Sequence, residues 1–177
     1  MTKPYVQSGY ARIDDDNYQT LDKRCVKALN DSVRLSSMIC DCCSPNGSGI
    51  VSDLIELGYN AFGVPDAFQE NIDAHWIVSN PPYKRPLVDD IINAQLARLN
   101  GGKVRAVAML LRNNFSFAKT RWDMFEKNPY YAMEIKMAFR PWWSEDRSKQ
   151  PIHNFVWHIW LTNKQNVDPI IRHWREE

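Results

Sequence analysis

The stretch His75-Trp76-Ile77-Val78-Ser79-Asn80-Pro81-Pro82-Tyr83-Lys84 runs a short apolar segment straight into a double-proline turn. Four residues, His75 to Val78, read as a buried strand bounded by turn chemistry. Pro81 restricts Asn80 to extended backbone. Two consecutive prolines carry no N–H donors, so the turn presents carbonyl acceptors. Asn80 adds a side-chain acceptor, and Tyr83 adds a flat aromatic face. This set suits a planar substrate with an exocyclic amino group. Two acceptors hold its hydrogens, the ring stacks on its plane, and the nitrogen lone pair is left aimed at an electrophile. Such catalysis works by positioning and charge stabilisation and needs no strong base. The plainer reading is a proline-stiffened strand-to-helix turn with a surface tyrosine. Ligands of open α/β sheets sit beyond the carboxyl ends of strands, which is where this turn falls.

On either side, strand-like and helix-like patterns alternate, as expected for a largely parallel sheet with helices on its faces. Residues 1–16 read as an irregular arm. Tyr18–Leu29 reads as a helix, Ser37–Cys40 as a short strand, and Ile50–Leu57 as a helix closed by Gly58 at its C-cap. Tyr59–Val64 is the next strand. Val88–Leu99 is an amphipathic helix ended by Asn100-Gly101-Gly102, and Val104–Leu111 is a strand apolar on both faces. Phe117–Lys127 reads as a helix stopped before Pro129. Tyr131–Phe139 and Phe155–Leu161 read as an antiparallel pair at one sheet edge. Val167–Arg175 reads as a terminal helix with Asp168-Pro169 at its start. One domain spanning 1–177 is expected.

Composition is that of a soluble globular chain, with 44% hydrophobic and 24% charged residues. No apolar run approaches the ~20 residues of a membrane span. The start, MTKPYVQSGYARIDDD, has no signal-type apolar core, so a cytoplasmic location is expected. Net charge is only +1, but it is uneven. Residues 1–100 hold 9 Lys+Arg against 13 Asp+Glu, and residues 101–177 hold 13 against 8. The basic half suits phosphate, although uneven sign is also common on solvated surfaces. Lys84, Arg85, Arg112, Lys119, Arg121 and Arg140 are candidates for a phosphate track. Cys25, Cys40, Cys42 and Cys43 make a poor disulfide framework and lack a second ligand pair at zinc-finger spacing. They read as reduced thiols, small residues ending a buried strand, and no metal is expected.

Asn80-Pro81-Pro82-Tyr83 resembles the catalytic motif of the class I, S-adenosylmethionine-dependent amino-methyltransferases. The order of segments looks most like the DNA adenine-N6 branch, in its small phage and prophage forms without a target-recognition domain. The resemblance covers roughly residues 17–162. Asn17-Tyr18-Gln19-Thr20 stands where the family has a Tyr-x-Thr-Pro helix start, with Leu21 in place of proline. Ile39-Cys40-Asp41 and the Pro45–Gly49 turn stand where the family has a strand, an acid and a Gly-x-Gly loop. Gly102–Arg112 looks like the family's next strand. Phe139-Arg140-Pro141 and His153-Asn154-Phe155-Val156-Trp157 look like its closing hairpin.

The resemblance implies a Rossmann-like three-layer sandwich, mostly parallel, with an antiparallel closing hairpin. It implies S-adenosylmethionine as cofactor, with Thr20, Asp41, Gly47, Gly49, Asp66 and Phe68 around it. Asn80 and the carbonyl of Pro81, within the Asn80-Pro81-Pro82-Tyr83 loop, would accept from the amino group of an adenine flipped out of DNA. Tyr83, with Phe155 as a second ring, would stack on the base, and Lys84 would meet phosphate. A partner subunit or homodimer would supply site recognition, and no membrane is involved. The chain departs from the pattern in two places. Pro45 falls at the first glycine if the loop is aligned on Gly47. Only about a dozen residues separate Asp66 from Asn80, so the sheet is expected to be shortened around its third strand. Alternatives of other classes are a degenerate methyltransferase fold kept as a nucleic-acid-binding or protein-interaction module, and a protein glutamine or RNA adenine methyltransferase.

Overall fold

Residues 18–36, 38–44, 49–146, 148, 151–164 and 168–176 are described by a computed structural model of the chain. The expected arm at 1–16, Asn17 and the turn carrying Pro45 and Gly47 lie outside these residues. Seven strands form one mixed sheet in the order β2-β1-β3-β4-β6-β5-β7. They are β1 (Met38–Asp41), β2 (Asn60–Gly63), β3 (Trp76–Ser79), β4 (Ala106–Arg112), β5 (Tyr131–Met137), β6 (Phe155–Leu161) and β7 (Ile170–Trp174). Pairing is parallel from β2 through β1 and β3 to β4. β6 enters antiparallel between β4 and β5, and β7 lies parallel to β5.

Three α-helices cover the sheet: α1 (Arg24–Ser32), α2 (Gly49–Glu56) and α3 (Leu87–Asn100). Two buried clusters separate them. Cys25, Val26 and Leu29 of α1 and Ile50 and Leu54 of α2 pack with Ile39, Val78, Leu110 and Trp157. Val88, Ile92 and Leu96 of α3 pack with Cys40, Ile77, Met109 and Trp160. Alternate residues of each central strand therefore serve opposite faces, the period-2 consequence of pleating. Ala106–Leu111 is fully buried, as its continuous apolar reading requires. Gly58, at φ +90°, closes α2 while Tyr59 N–H returns to the Leu54 carbonyl.

Four expectations are corrected. The first helix begins at Arg24, not Tyr18; Tyr18–Asp22 is non-helical chain. Phe117–Lys127 is not an α-helix but two single 3-10 turns, Phe115–Phe117 and Lys119–Arg121, followed by further turns. The segment read as a terminal helix over 167–175 contains strand β7. The β5–β6 pair is therefore not the sheet edge, because β7 lies outside β5. β2 is the outer strand at the other edge, and the chain between Val64 and His75 adds no strand beyond it.

Candidate active site

β1 has β2 on one side and β3 on the other, so successive connections leave it in opposite directions. A crevice opens at the carboxyl ends of strands where that reversal occurs. Two segments end there side by side: β1 at Asp41 and β3 at Ser79-Asn80. Ser79 Oγ donates to Asp41 Oδ1 at 2.7 Å, and the Cys43 N–H reaches the same oxygen at 3.2 Å. Asp41 is 2% exposed, so this pairing fixes a buried carboxylate where β1 and β3 end.

The Asn80–Tyr83 loop is fastened to two other segments. Asn80 Nδ2 donates to the Tyr18 carbonyl at 2.6 Å. The Tyr83 hydroxyl has one proton to share between Asn80 Oδ1 and the Leu110 carbonyl of β4, the latter at 3.0 Å. The side-chain amide is thus held in one orientation by groups from two other segments. Pro81 and Pro82 are buried. Tyr83 turns its hydroxyl inward and its ring is half-buried, unlike the surface tyrosine of the plainer reading. Burial raises its phenol well above the usual range. Its ring lies 5.4 Å from Phe155, which in turn meets Trp143 at 4.8 Å, and the Arg112 guanidinium stands 5.8 Å from the Tyr83 centroid.

The cofactor candidates divide. Thr20 is 3% exposed, and its hydroxyl is buried without a hydrogen-bond partner. Gly49 opens α2 against that segment: a Cβ there would lie 1.8 Å from the Thr20 carbonyl oxygen. The glycine thus admits the Tyr18–Thr20 chain, a different close approach from the one expected. Asp66 is exposed beyond β2, where its Oδ1 accepts from the Phe68 N–H at 2.9 Å, and Phe68 is 49% exposed. Both follow Val64, whose N–H donates to the Asp41 carbonyl at 3.0 Å, and Gly47 lies outside the described residues.

Of the six residues read as a phosphate track, Lys84 is exposed beside the loop. Arg85 is engaged by Asp89 at 3.1 Å. Arg121 is not available: it is buried, bonded to Asp89 at 2.6 Å and the Phe115 carbonyl at 2.9 Å, and stacked 3.4 Å over the Phe115 ring. Ser79 was missed as a functional residue, although it precedes the motif directly. Its signal was a small hydroxyl ending a four-residue buried strand. The cysteines are all buried and free. Among the described residues, no group of three or more His, Cys, Asp or Glu side chains is placed to hold a metal. Nor is any described helix long and apolar enough to cross a membrane. No protein-family model, curated protein or solved structure matches this chain.

Proposed function

We propose that this chain is an S-adenosylmethionine-dependent methyltransferase acting on the exocyclic N6 amino group of adenine in DNA. The carrying observation is the fastened Asn80–Tyr83 loop standing beside Asp41 across the strand reversal. The strand order supports the finer fold assignment, a class I methyltransferase sandwich lacking its outermost third strand. The crevice suits the amino-acid end of the cofactor, because it holds a buried carboxylate in Asp41 and an unpartnered buried hydroxyl in Thr20. Asp66 and Phe68, beyond β2, are the candidates for its ribose and adenine. When bound, the cofactor supplies a methyl group on a positively charged sulfur.

The chain's own groups do the rest. Asn80 Oδ1 has a second lone pair beyond the one facing Tyr83, and that lone pair accepts an adenine N6 hydrogen. The Pro81 carbonyl accepts the other. The amino nitrogen is thereby turned to offer its lone pair, and the acceptors stabilise the positive charge that grows on it. The proton then leaves to solvent. Tyr83 positions Asn80 through its hydroxyl while its ring, with Phe155, borders the base.

One observation favours a degenerate binding module instead: both ends of the Asn80 amide are satisfied within the protein. Calorimetric titration of S-adenosylmethionine and S-adenosylhomocysteine, without and with DNA, separates the two readings. Binding followed by methyl transfer to mixed-sequence DNA supports the enzyme, and absence of binding under both conditions overturns it. Asn80→Ala is expected to abolish transfer while leaving cofactor affinity nearly unchanged. Full activity in that variant would remove Asn80 from the chemistry.

A further inference from the structure

A cleft of about 610 Å³ lies over β5 and β6, lined among others by Asn113, Phe117, Lys136, Arg140, Asn154 and Phe155. Its floor is sheet, formed by residues of β5, β6 and β7. Its wall is the turn that follows β4. Phe155, 3% exposed, lines the cleft and its ring stands 5.4 Å from the Tyr83 ring, which places the cleft beside the Asn80–Tyr83 loop. β4 and β5 end, and β6 begins, at the same sheet edge as that loop, because β6 is the antiparallel member.

The chemistry of the lining is specific. Every lining residue comes from the part of the sequence that carries the positive excess, residues 101–177. Lys136 and Arg140 are its cations. Its one acid, Glu134, pairs with Lys136 at 3.8 Å, and burial holds its carboxyl above the usual carboxylate range. Arg140 Nε donates to Asn154 Oδ1 at 3.1 Å and its Nη1 to the Pro151 carbonyl at 3.5 Å, which fixes the guanidinium at the cleft lining. His153, next in the chain, is held below the usual imidazole range by burial and by the nearby Arg112 and Arg140 charges, and the Arg112 guanidinium stands 5.8 Å from the Tyr83 centroid. Phe117 is 82% exposed, the most exposed of the large apolar side chains described. An aromatic face left open at the rim of a cationic groove is the arrangement that holds unpaired nucleic acid.

Resting on the proposed methyltransferase reading, we infer that this cleft carries an unpaired DNA strand leading to the target base. Phosphates meet Lys136 and Arg140, one base stacks on Phe117, and the Asn113 and Asn154 amides contact base or sugar. A duplex hides its base faces, so Phe117 has nothing to stack on there except at an end.

The test is fluorescence anisotropy with a labelled oligothymidylate of about 12 nucleotides, within the usual length range for such grooves. This probe contains no adenine, so its binding does not depend on methylation. The wild-type chain is expected to bind it in a salt-dependent manner. Lys136→Ala/Arg140→Ala should weaken binding at least tenfold and flatten the salt dependence. Phe117→Ala should weaken it by about 5- to 150-fold, one lost stack. Lys103→Ala, on the exposed turn after α3, should change nothing. The inference is overturned if the wild-type chain does not bind, if the double variant or Phe117→Ala binds like wild type, or if blunt duplex displaces the probe as well as unlabelled strand does. Strand binding without any methyl transfer would instead overturn the methylation reading and leave the cleft assignment standing. Methyl transfer with a DNA KM unmoved by the cleft variants would do the reverse.

Discussion

Tyr83 illustrates how one side chain can be legible in kind and misjudged in placement. The Asn-Pro-Pro-Tyr order announces acceptors beside a ring. It does not reveal that the hydroxyl turns inward to Asn80 and the Leu110 carbonyl, because Leu110 lies 27 residues away. That placement separates two functions of one residue. Tyr83→Phe keeps the ring and removes the group that orients Asn80, so kcat should fall by tenfold or more with DNA affinity nearly retained. Tyr83→Ala removes both and should also weaken DNA binding by about 1–3 kcal/mol, the scale of a lost stack. A Tyr83→Phe variant as active as wild type would show that the hydroxyl does nothing, and equal losses in the two variants would show that the ring adds nothing. Gly49 is a parallel case. Sequence marks it as a loop glycine, but the space it leaves open is filled by the Thr20 carbonyl. Gly49→Ala is therefore expected to destabilise the fold by about 1–3 kcal/mol through overpacking, read in urea melts. It should also displace Tyr18 and with it the Asn80 anchor.

Elements were legible where burial alone sets their pattern. Val104–Leu111 is apolar at every position but Arg105, which suits a strand covered on both faces, and β4 is that strand. The errors lie where tertiary partners overrule local preference. Ile170–Trp174 begins with two β-branched residues, yet Asp168-Pro169 before it looks like a helix start. The open edge of β5 supplies five register partners, and the segment pairs there. The stretch after β4 is the other case: it forms turns, with Phe117 and Trp122 left in solvent, 82% and 53% exposed. Arg121 fixes it instead, clamped to Asp89 of α3 and to the Phe115 carbonyl. Arg121→Met should cost about 2–4 kcal/mol, because Asp89 loses its buried partner. Hydrogen exchange should speed up across 115–125 with little change in β1–β3. Lys119→Met, an exposed neighbour, should be neutral in both measurements.

At the scale of the whole molecule, two buried titrating groups lie on opposite faces of the sheet and pull stability in opposite directions with pH. His158 is fully buried with the cluster that α3 covers, and its Nδ1 meets the Tyr131 hydroxyl at 2.8 Å. Burial lowers its pKa from 6.5 to about 3. Its folded value is depressed, so the stability it contributes is full above pH 6.5 and is lost as pH falls toward 3. Asp53, on α2 across the sheet, is 7% exposed with one carboxyl oxygen unpartnered. Burial first, then the neighbouring Glu56 and Asp22 charges, raise it from 3.8 to about 6 against the pull of Lys23. Its folded value is raised, so its contribution is full below pH 3.8 and is lost as pH climbs through 6. Between about pH 4 and 6 the unfolded chain gains a proton at His158 and lacks one at Asp53, and the two slopes cancel. Asp53→Asn removes one of them. The stability of that variant minus that of wild type, from urea melts at each pH, should rise across pH 4 to 6 by up to about 1.4 kcal/mol per unit and level off above. Taking the difference cancels every other titrating group the two proteins share. A difference flat from pH 4 to 7 would mean that Asp53 is already ionised in the fold, and that the acid side of the stability curve belongs to His158 alone.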